Sequence, residues 1–424
     1  MNGRYGAVWH DERRIGALRE DENRVLRFTY DGAWLDGDGF PVSIHLPLSL
    51  AAREVDAHNF FAGLLPEGGT RQRICREQGV APEDDAGLLF AIGEDCAGAL
   101  SVLPAGVEPD ARPTPPATLT QTVLDRLVGS PDEGAAILTR ERQRFSLAGT
   151  QEKQSVIFDG ESYALPDRAN PSSHLLKFET VRWVCVSEYI ANDMARRVGL
   201  PVAGTEFLRT TADGVPYLRI ERYDRARDAD GRLRRLHQED VLQALGLSAA
   251  LKYQRHGGPS IGDVAELLRA HAARPAEALA SLRDWQILNC LIGNWDGHGK
   301  NLALLYAPGH AVPTLAPFYD LISIEFLNLL RPGTWSRDMA FFIGEHDEPE
   351  RISRSDWLAF ARELGMPPRR LLVRVEEMAT GLPGVARATR EAFAQAHADA
   401  QAYDQLEEAV RRRCRWTLES LRER

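Results

Sequence analysis

Lysine is nearly missing from this 424-residue chain: of 51 basic residues only four are lysine (Lys153, Lys177, Lys252, Lys300), and the other 47 are arginine. With arginine at almost every generic cationic position, the remaining lysines mark places where a compact ammonium matters. Cysteine is also sparse. The five (Cys75, Cys96, Cys185, Cys290, Cys414) are scattered and never in C-x-x-C spacing, which argues against a disulfide framework and against a zinc site. They are expected to be buried apolar residues. No stretch approaches the roughly 18 uncharged apolar residues of a membrane span, and the charged N-terminus has no apolar leader core. A cytoplasmic protein without membrane contact is therefore expected. There is no basic tract, and the formal net charge of −10 makes the chain a poor autonomous nucleic-acid binder. Walker A and G-x-G-x-x-G motifs are lacking as well.

With 44% apolar residues the chain can build a core, and its length suits about two to four units. The first hundred residues read as β-rich, with strands at Tyr5–Trp9, Ile15–Leu18 and Val25–Tyr30, then helical patches around Asn59–Leu65 and Arg71–Gly79. Leu103–Thr120 holds five prolines and few large apolar residues, the composition of a linker. Short strand-like runs follow, and from Gln238 onward the patterns are mostly helical.

The richest window is Ser281–Ser323. Leu282, Trp285, Ile287, Leu288, Leu291 and Ile292 predict a largely buried helix stopping at Gly293. The loop Asn294-Trp295-Asp296-Gly297-His298-Gly299-Lys300-Asn301 is too polar and glycine-rich for a core element. Strands at Leu302–Tyr306 and Thr314–Phe318 would return Asp320 to the end where Asp296 and Asn301 stand. Phosphoryl transfer to a hydroxyl calls for that set: a base, and a carboxylate and an amide oxygen to hold Mg²⁺ on nucleotide phosphates. The D-x-x-x-x-N spacing is a weak signal alone, since Asp and Asn are ordinary loop residues. The later aspartate strengthens it.

In Ser173–Glu179 the alternation makes a strand with Lys177 on the face opposite Leu176 and Phe178. A strand lysine can pair inner phosphates; an edge lysine in solvent would give the same pattern. Glu188, on a helix ending at Gly199, could partner it or simply face water. Ser146–Lys153, small-residue-rich before Val156-Ile157-Phe158, could let backbone N–H groups approach phosphates, or be an ordinary hairpin turn. Gln238-Glu239-Asp240 is as readily a helix start as a site, and Gly257-Gly258-Pro259 reads as a turn. The arginines at 411–413 and 415 suit a solvated helix face.

Taken together and in order, SLAGTQEK (146–153), HLLKFE (174–179), ERYDR (221–225), HQEDVLQALGL (237–247), HGGP (256–259), LIGNWDGHGKN (291–301) and LAPFYDLIS (315–323) resemble the HipA family of toxin kinases. FFAGLLPEGGTRQRI (60–74) and IGEDCAGAL (92–100) resemble its N-terminal module. The resemblance implies an α+β, two-lobed protein-kinase-like fold. A β-rich module over 1–105 would pack on the N-lobe, with a Pro-rich linker over 106–120, an N-lobe over 121–225 carrying the phosphate loop and hinge, and a helical C-lobe over 226–424.

The resemblance also implies an ATP- and Mg²⁺-dependent serine/threonine kinase. Asp296 would be the base, Asn301 and Asp320 the Mg²⁺ ligands, and Lys177 the phosphate-pairing lysine. Ala148, Gly149, Thr150, Gln151, Glu152 and Lys153 would form the phosphate loop, Glu221, Arg222 and Tyr223 the adenine-contacting hinge, and His298 a nucleotide-side contact. Ser146 matches the serine that the family autophosphorylates. Thr150 stands where Ala is usual, Tyr223 where Phe is usual, and Phe178-Glu179 is an unusual continuation; none of these is a catalytic atom. The implied partners are a helix-turn-helix antitoxin, through which alone DNA would be reached, and a protein substrate on the translation machinery such as an aminoacyl-tRNA synthetase. Two other readings stay open on the sequence: a binding protein acting as corepressor in an antitoxin–DNA complex with catalysis incidental, and a kinase of small molecules.

Overall fold

The computed structural model describes residues 3–37, 39–109, 115–129, 153–167, 170–397 and 403–422. Ser146 and the 148–152 part of the expected phosphate loop lie outside the described residues. The chain folds into two compact units, each assembled from separated segments. The first takes residues 1–180, 206–249 and 304–313, and the second takes 181–205, 250–303 and 314–424.

In the first unit, β1 (Tyr5–His10), β2 (Arg13–Glu20), β3 (Leu26–Tyr30), β4 (Val55–Asp56) and β5 (Leu100–Pro104) form an antiparallel sheet in the order β4-β3-β2-β1-β5. Alternation places Ile15 and Leu18 of β2 and Leu26, Phe28 and Tyr30 of β3 on the buried face. There they meet Phe60 and Phe61 from the helix His58–Gly63 and Leu88, Leu89 and Ile92 from the helix Asp85–Ile92. Each such side chain contributes about 1.5–3 kcal/mol by leaving water.

A second sheet of the same unit takes β6 (Thr118–Leu119), β7 (Lys153–Phe158), β8 (Tyr163–Ala164), β9 (His174–Phe178), β10 (Thr205–Arg209) and β11 (Pro216–Glu221) in the order β10-β11-β9-β7-β8-β6. Its core holds Val156, Leu176, Phe178 and Tyr217, with Leu124 and Leu127 from the helix Gln121–Gly129.

The second unit is mainly helical. The helix Pro275–Ile292 opens with Pro at its start and Glu277 in its first turn, both suited to a helix N-terminus, and carries Leu282, Trp285, Ile287, Leu288 and Leu291 fully buried. It begins earlier than the apolar run predicts and stops where expected, because Gly293 adopts the left-handed conformation at φ 72°. The helices Ile261–His271, Pro368–His397 and Tyr403–Ser420 pack against it, and Val184–Arg197 packs on Pro368–His397. All five cysteines are buried, as expected, and none forms a disulfide among the described residues. Among the described residues no helix is long and apolar enough to cross a membrane.

Candidate active site

The polar loop after Gly293 is built from within. A Cβ at Gly293 would collide with that of Glu325, so both the handedness and the space demand glycine. Asn294 donates from Nδ2 to Asn289 Oδ1 at 3.0 Å and accepts the Asp296 N–H at 3.2 Å, which fixes the backbone at Asp296. Trp295, Gly297, His298, Lys300 and Asn301 are buried, while Asp296 alone in this run is exposed. The loop closes with one turn of 3-10 helix, Gly299–Asn301, in which the His298 N–H donates to Asn301 Oδ1 at 2.9 Å.

Past Ala303–Leu305 the chain returns through Thr314–Leu315, shorter strands than the sequence predicts. The Ala316 N–H donates to the Ala303 carbonyl at 2.8 Å, which delivers Tyr319 and Asp320 to the loop. Tyr319 donates its hydroxyl to the Lys300 carbonyl at 2.7 Å, and Asn301 Nδ2 lies 3.5 Å from Asp320 Oδ2. Asp320 itself is left-handed at φ 55°, a conformation aspartate tolerates better than most residues. The convergence expected of Asn301 and Asp320 is thus present. Facing the loop, Tyr253 donates its hydroxyl to Asp296 Oδ1 at 2.6 Å.

In the first unit, Lys177 is buried on β9, directly opposite Lys153 of β7 in register and beside Leu218 of β11. Residues directly opposite each other in an antiparallel pair share a face of the sheet, so the two lysines lie on one face. Glu188 is buried on its helix in the second unit.

The expected hinge has a further role. The Arg222 N–H donates to the Ser173 carbonyl at 3.0 Å. Its guanidinium is taken up by Asp224 at 2.9 and 2.6 Å and by Ser172 Oγ at 2.9 Å. Arg225 and Arg235 reach Asp95 Oδ1 at 3.4 and 3.2 Å, and Asp224 also accepts the Gly98 N–H at 2.8 Å. Burial raises both carboxyls, and the surrounding guanidiniums overcome it and hold them below the usual carboxylate range. Burial and Arg222 push Arg225 down to about 10. The Arg222 side chain is therefore held within a buried ion-pair network. Sequence reasoning missed this network and Tyr253.

Two family models match: HipA N-terminal domain over residues 6–103 and HipA-like C-terminal domain over residues 145–386. The chain belongs to the HipA family. It is 39% identical over 373 residues to a putative kinase, Y4mE, of Sinorhizobium fredii, covering 85% of each chain. It is 28% identical over 386 residues to the serine/threonine-protein kinase toxin HipA of Shewanella oneidensis, covering 87% of this chain and 85% of that one. A solved structure of the toxin–antitoxin system HipA, HipB and operator DNA complex from Shewanella oneidensis MR-1 superposes with a TM-score of 0.83 at 25% identity, covering 98% of each chain. The α+β fold expected for a HipA-family chain is the fold observed.

Among the described residues no group of three or more His, Cys, Asp or Glu could hold a metal. The oxygens of Asn301 and Asp320 nonetheless fit a hard cation. Asn301 Oδ1 keeps a second lone pair beyond its bond to His298, and Mg²⁺ habitually takes one or two protein oxygens and completes its shell with phosphate and water.

Proposed function

We propose that this protein is a serine/threonine protein kinase toxin that transfers the γ-phosphate of ATP to a hydroxyl of a protein, and that a helix-turn-helix antitoxin neutralises it. The observation that carries this reading is the convergence of Asn301 with Asp320 beside an exposed, hydrogen-bonded Asp296.

Asp296 accepts the proton of the attacking hydroxyl. Asn301 and Asp320 would hold Mg²⁺, which neutralises charge on the transferring phosphoryl group when bound. Lys177 and Lys153 neutralise inner phosphates, and Glu221 with Tyr223 borders the adenine. By family resemblance the phosphate loop is Ala148 to Lys153, His298 contacts the nucleotide, and Ser146 is an autophosphorylation site. The substrate would be a translation component such as an aminoacyl-tRNA synthetase in the cytoplasm, and DNA would be reached only through the antitoxin. The relative solved with HipB and operator DNA supports an antitoxin partner, and the net charge of −10 supports indirect DNA contact. The intact base and ion-binding pair favour catalysis over a purely corepressor role.

The test is transfer of label from γ-labelled ATP to protein serine or threonine, with Mg²⁺ and with EDTA, for the wild type and Asp296→Asn. Label on protein only with Mg²⁺ and an intact Asp296 is expected. Equal labelling by Asp296→Asn would refute the assignment.

A further inference from the structure

The hydroxyl group within reach of Asp296 belongs to the protein itself. Tyr253 places its phenolic oxygen 2.6 Å from Asp296 Oδ1, inside the range in which a general base takes the proton of a reacting group. The placement is held on every side. The Lys252 carbonyl accepts the Gly299 N–H of the catalytic loop at 3.3 Å, and the Gln254 N–H donates to the Ala340 carbonyl at 3.0 Å. The Gln254 side chain in turn accepts the Phe342 N–H at 2.9 Å. The Tyr253 ring meets His298 edge-on at 5.4 Å and His256 at 5.9 Å. Gly258 closes the turn where a Cβ would collide with the carbonyl oxygens of Leu251 and Tyr253. A side chain pinned in this way brings its hydroxyl to the base without diffusion, the situation in which an intramolecular reaction gains most.

We infer that Tyr253 is an acceptor of the protein's own phosphoryl transfer, a modification site distinct from Ser146; the inference rests on the kinase reading of Asp296. The phenolic oxygen attacks the γ-phosphorus of ATP. The new O–P bond forms as the bond from that phosphorus to the β–γ bridging oxygen breaks, ADP leaves with the electron pair, and the phenolic proton passes to Asp296. A serine/threonine enzyme can act on this tyrosine because the fold, rather than binding from solution, positions it. The product places roughly two negative charges against the Asp296 carboxylate, so it repels the base and blocks the position that a substrate hydroxyl must occupy. Self-phosphorylation at Tyr253 is therefore self-inactivating.

The experiment incubates the full chain with Mg·ATP and follows intact mass, phosphopeptide mapping and transfer to an added protein substrate. The wild type, Ser146→Ala, Tyr253→Phe and Asp296→Asn are compared. One phosphate is expected on Tyr253 in the wild type and in Ser146→Ala, formed at a rate independent of protein concentration, with progressive loss of transfer to the substrate. Tyr253→Phe keeps the ring and should lose that phosphate. Asp296→Asn should acquire none, even when mixed with active enzyme. An unmodified Tyr253 in a preparation that phosphorylates Ser146 or the added substrate would overturn the inference and leave Tyr253 as a cap on the base. Absence of phosphate from every protein would overturn the kinase reading and this inference with it.

Discussion

Asn301 and Asp320 lie nineteen residues apart in the chain, yet the Asn301 amide stands 3.5 Å from the Asp320 carboxylate, held there by the Ala316 to Ala303 backbone bond and by the Tyr319 hydroxyl on the Lys300 carbonyl. In the proposed function the pair holds the ion and Asp296 takes the proton, so substitutions should separate the two roles. Asp320→Ala is expected to weaken Mg·ATP binding by roughly tenfold or more, since even outer-shell partners of a bound ion act on that scale. Asp296→Asn should leave calorimetric affinity near the wild-type value and reduce transfer by roughly 10²–10⁴-fold. The reverse pattern, binding lost in Asp296→Asn and kept in Asp320→Ala, would invert the assignment.

Lys177 can be probed through stability. A ligand that binds only the folded protein raises the melting temperature in proportion to the logarithm of its concentration over Kd. Mg·ATP should raise the melting temperature of the wild type, and Lys177→Met, which keeps most of the buried stem and removes the charge, should lose most of that rise. Differential scanning fluorimetry at several ATP concentrations measures both. An undiminished shift would place the inner phosphates elsewhere.

The parts of this site visible in the sequence are those written in short windows. A buried apolar helix ended by Gly293, a polar loop with Asp296 and Asn301 five apart, and a strand period around Lys177 are local patterns, and each appears where its period places it. Tyr253 was not visible because its partner is 43 residues away, and nothing in the pattern of KYQRHGGP aims a side chain. The family resemblance makes Arg222 part of the adenine-contacting hinge, and nothing local in the sequence shows where its side chain goes. Its guanidinium is drawn into a cluster with Asp224, in which Arg225 and Arg235 reach Asp95, and that cluster depends on two distant segments folding against each other. Gln238-Glu239-Asp240 reads as readily as a helix start as it does a site. Asp240 is the residue that caps the short helix Val241–Ala244, and Glu239 is buried in front of it.

That arginine–aspartate cluster predicts a stability effect remote from any chemistry. Asp95 and Asp224 are the carboxylates among Arg222, Arg225 and Arg235, and all five are buried. Asp95→Asn keeps the shape and deletes a charge, leaving buried guanidiniums uncompensated. A loss of about 3–5 kcal/mol is expected, read from urea denaturation midpoints. Adding Arg235→Met to Asp95→Asn should recover part of the loss, because the two groups pair at 3.2 Å and their effects are coupled. Strictly additive losses in the double variant would show that the pair is not the source.

Glu239 predicts a pH dependence. Its carboxylate accepts the Tyr306 hydroxyl at 2.6 Å, the Ser43 hydroxyl at 2.5 Å and the Ile44 N–H at 3.0 Å, and the His237 ring nearby stacks on Phe40 at 4.6 Å. Burial outweighs the three hydrogen bonds that favour the ionised form, and Asp240 adds to it, so the carboxyl is pushed up from 4.5 to about 7. The folded protein therefore holds this proton more tightly than the unfolded chain. The stability gained is fully present below the unfolded value and is lost as pH rises through the window from 4.5 to about 7. Its size is on the order of 3 kcal/mol. Thermal or urea unfolding between about pH 5 and pH 8 should show this loss in the wild type. Glu239→Gln, whose side-chain carbonyl can still accept from Tyr306, should lose that component of the slope while remaining folded. A Glu239→Gln profile parallel to that of the wild type would assign the titration to another group. A flat wild-type profile would mean that Glu239 carries its charge in the folded state at no greater cost than in water, with Tyr306, Ser43 and Ile44 together compensating its burial.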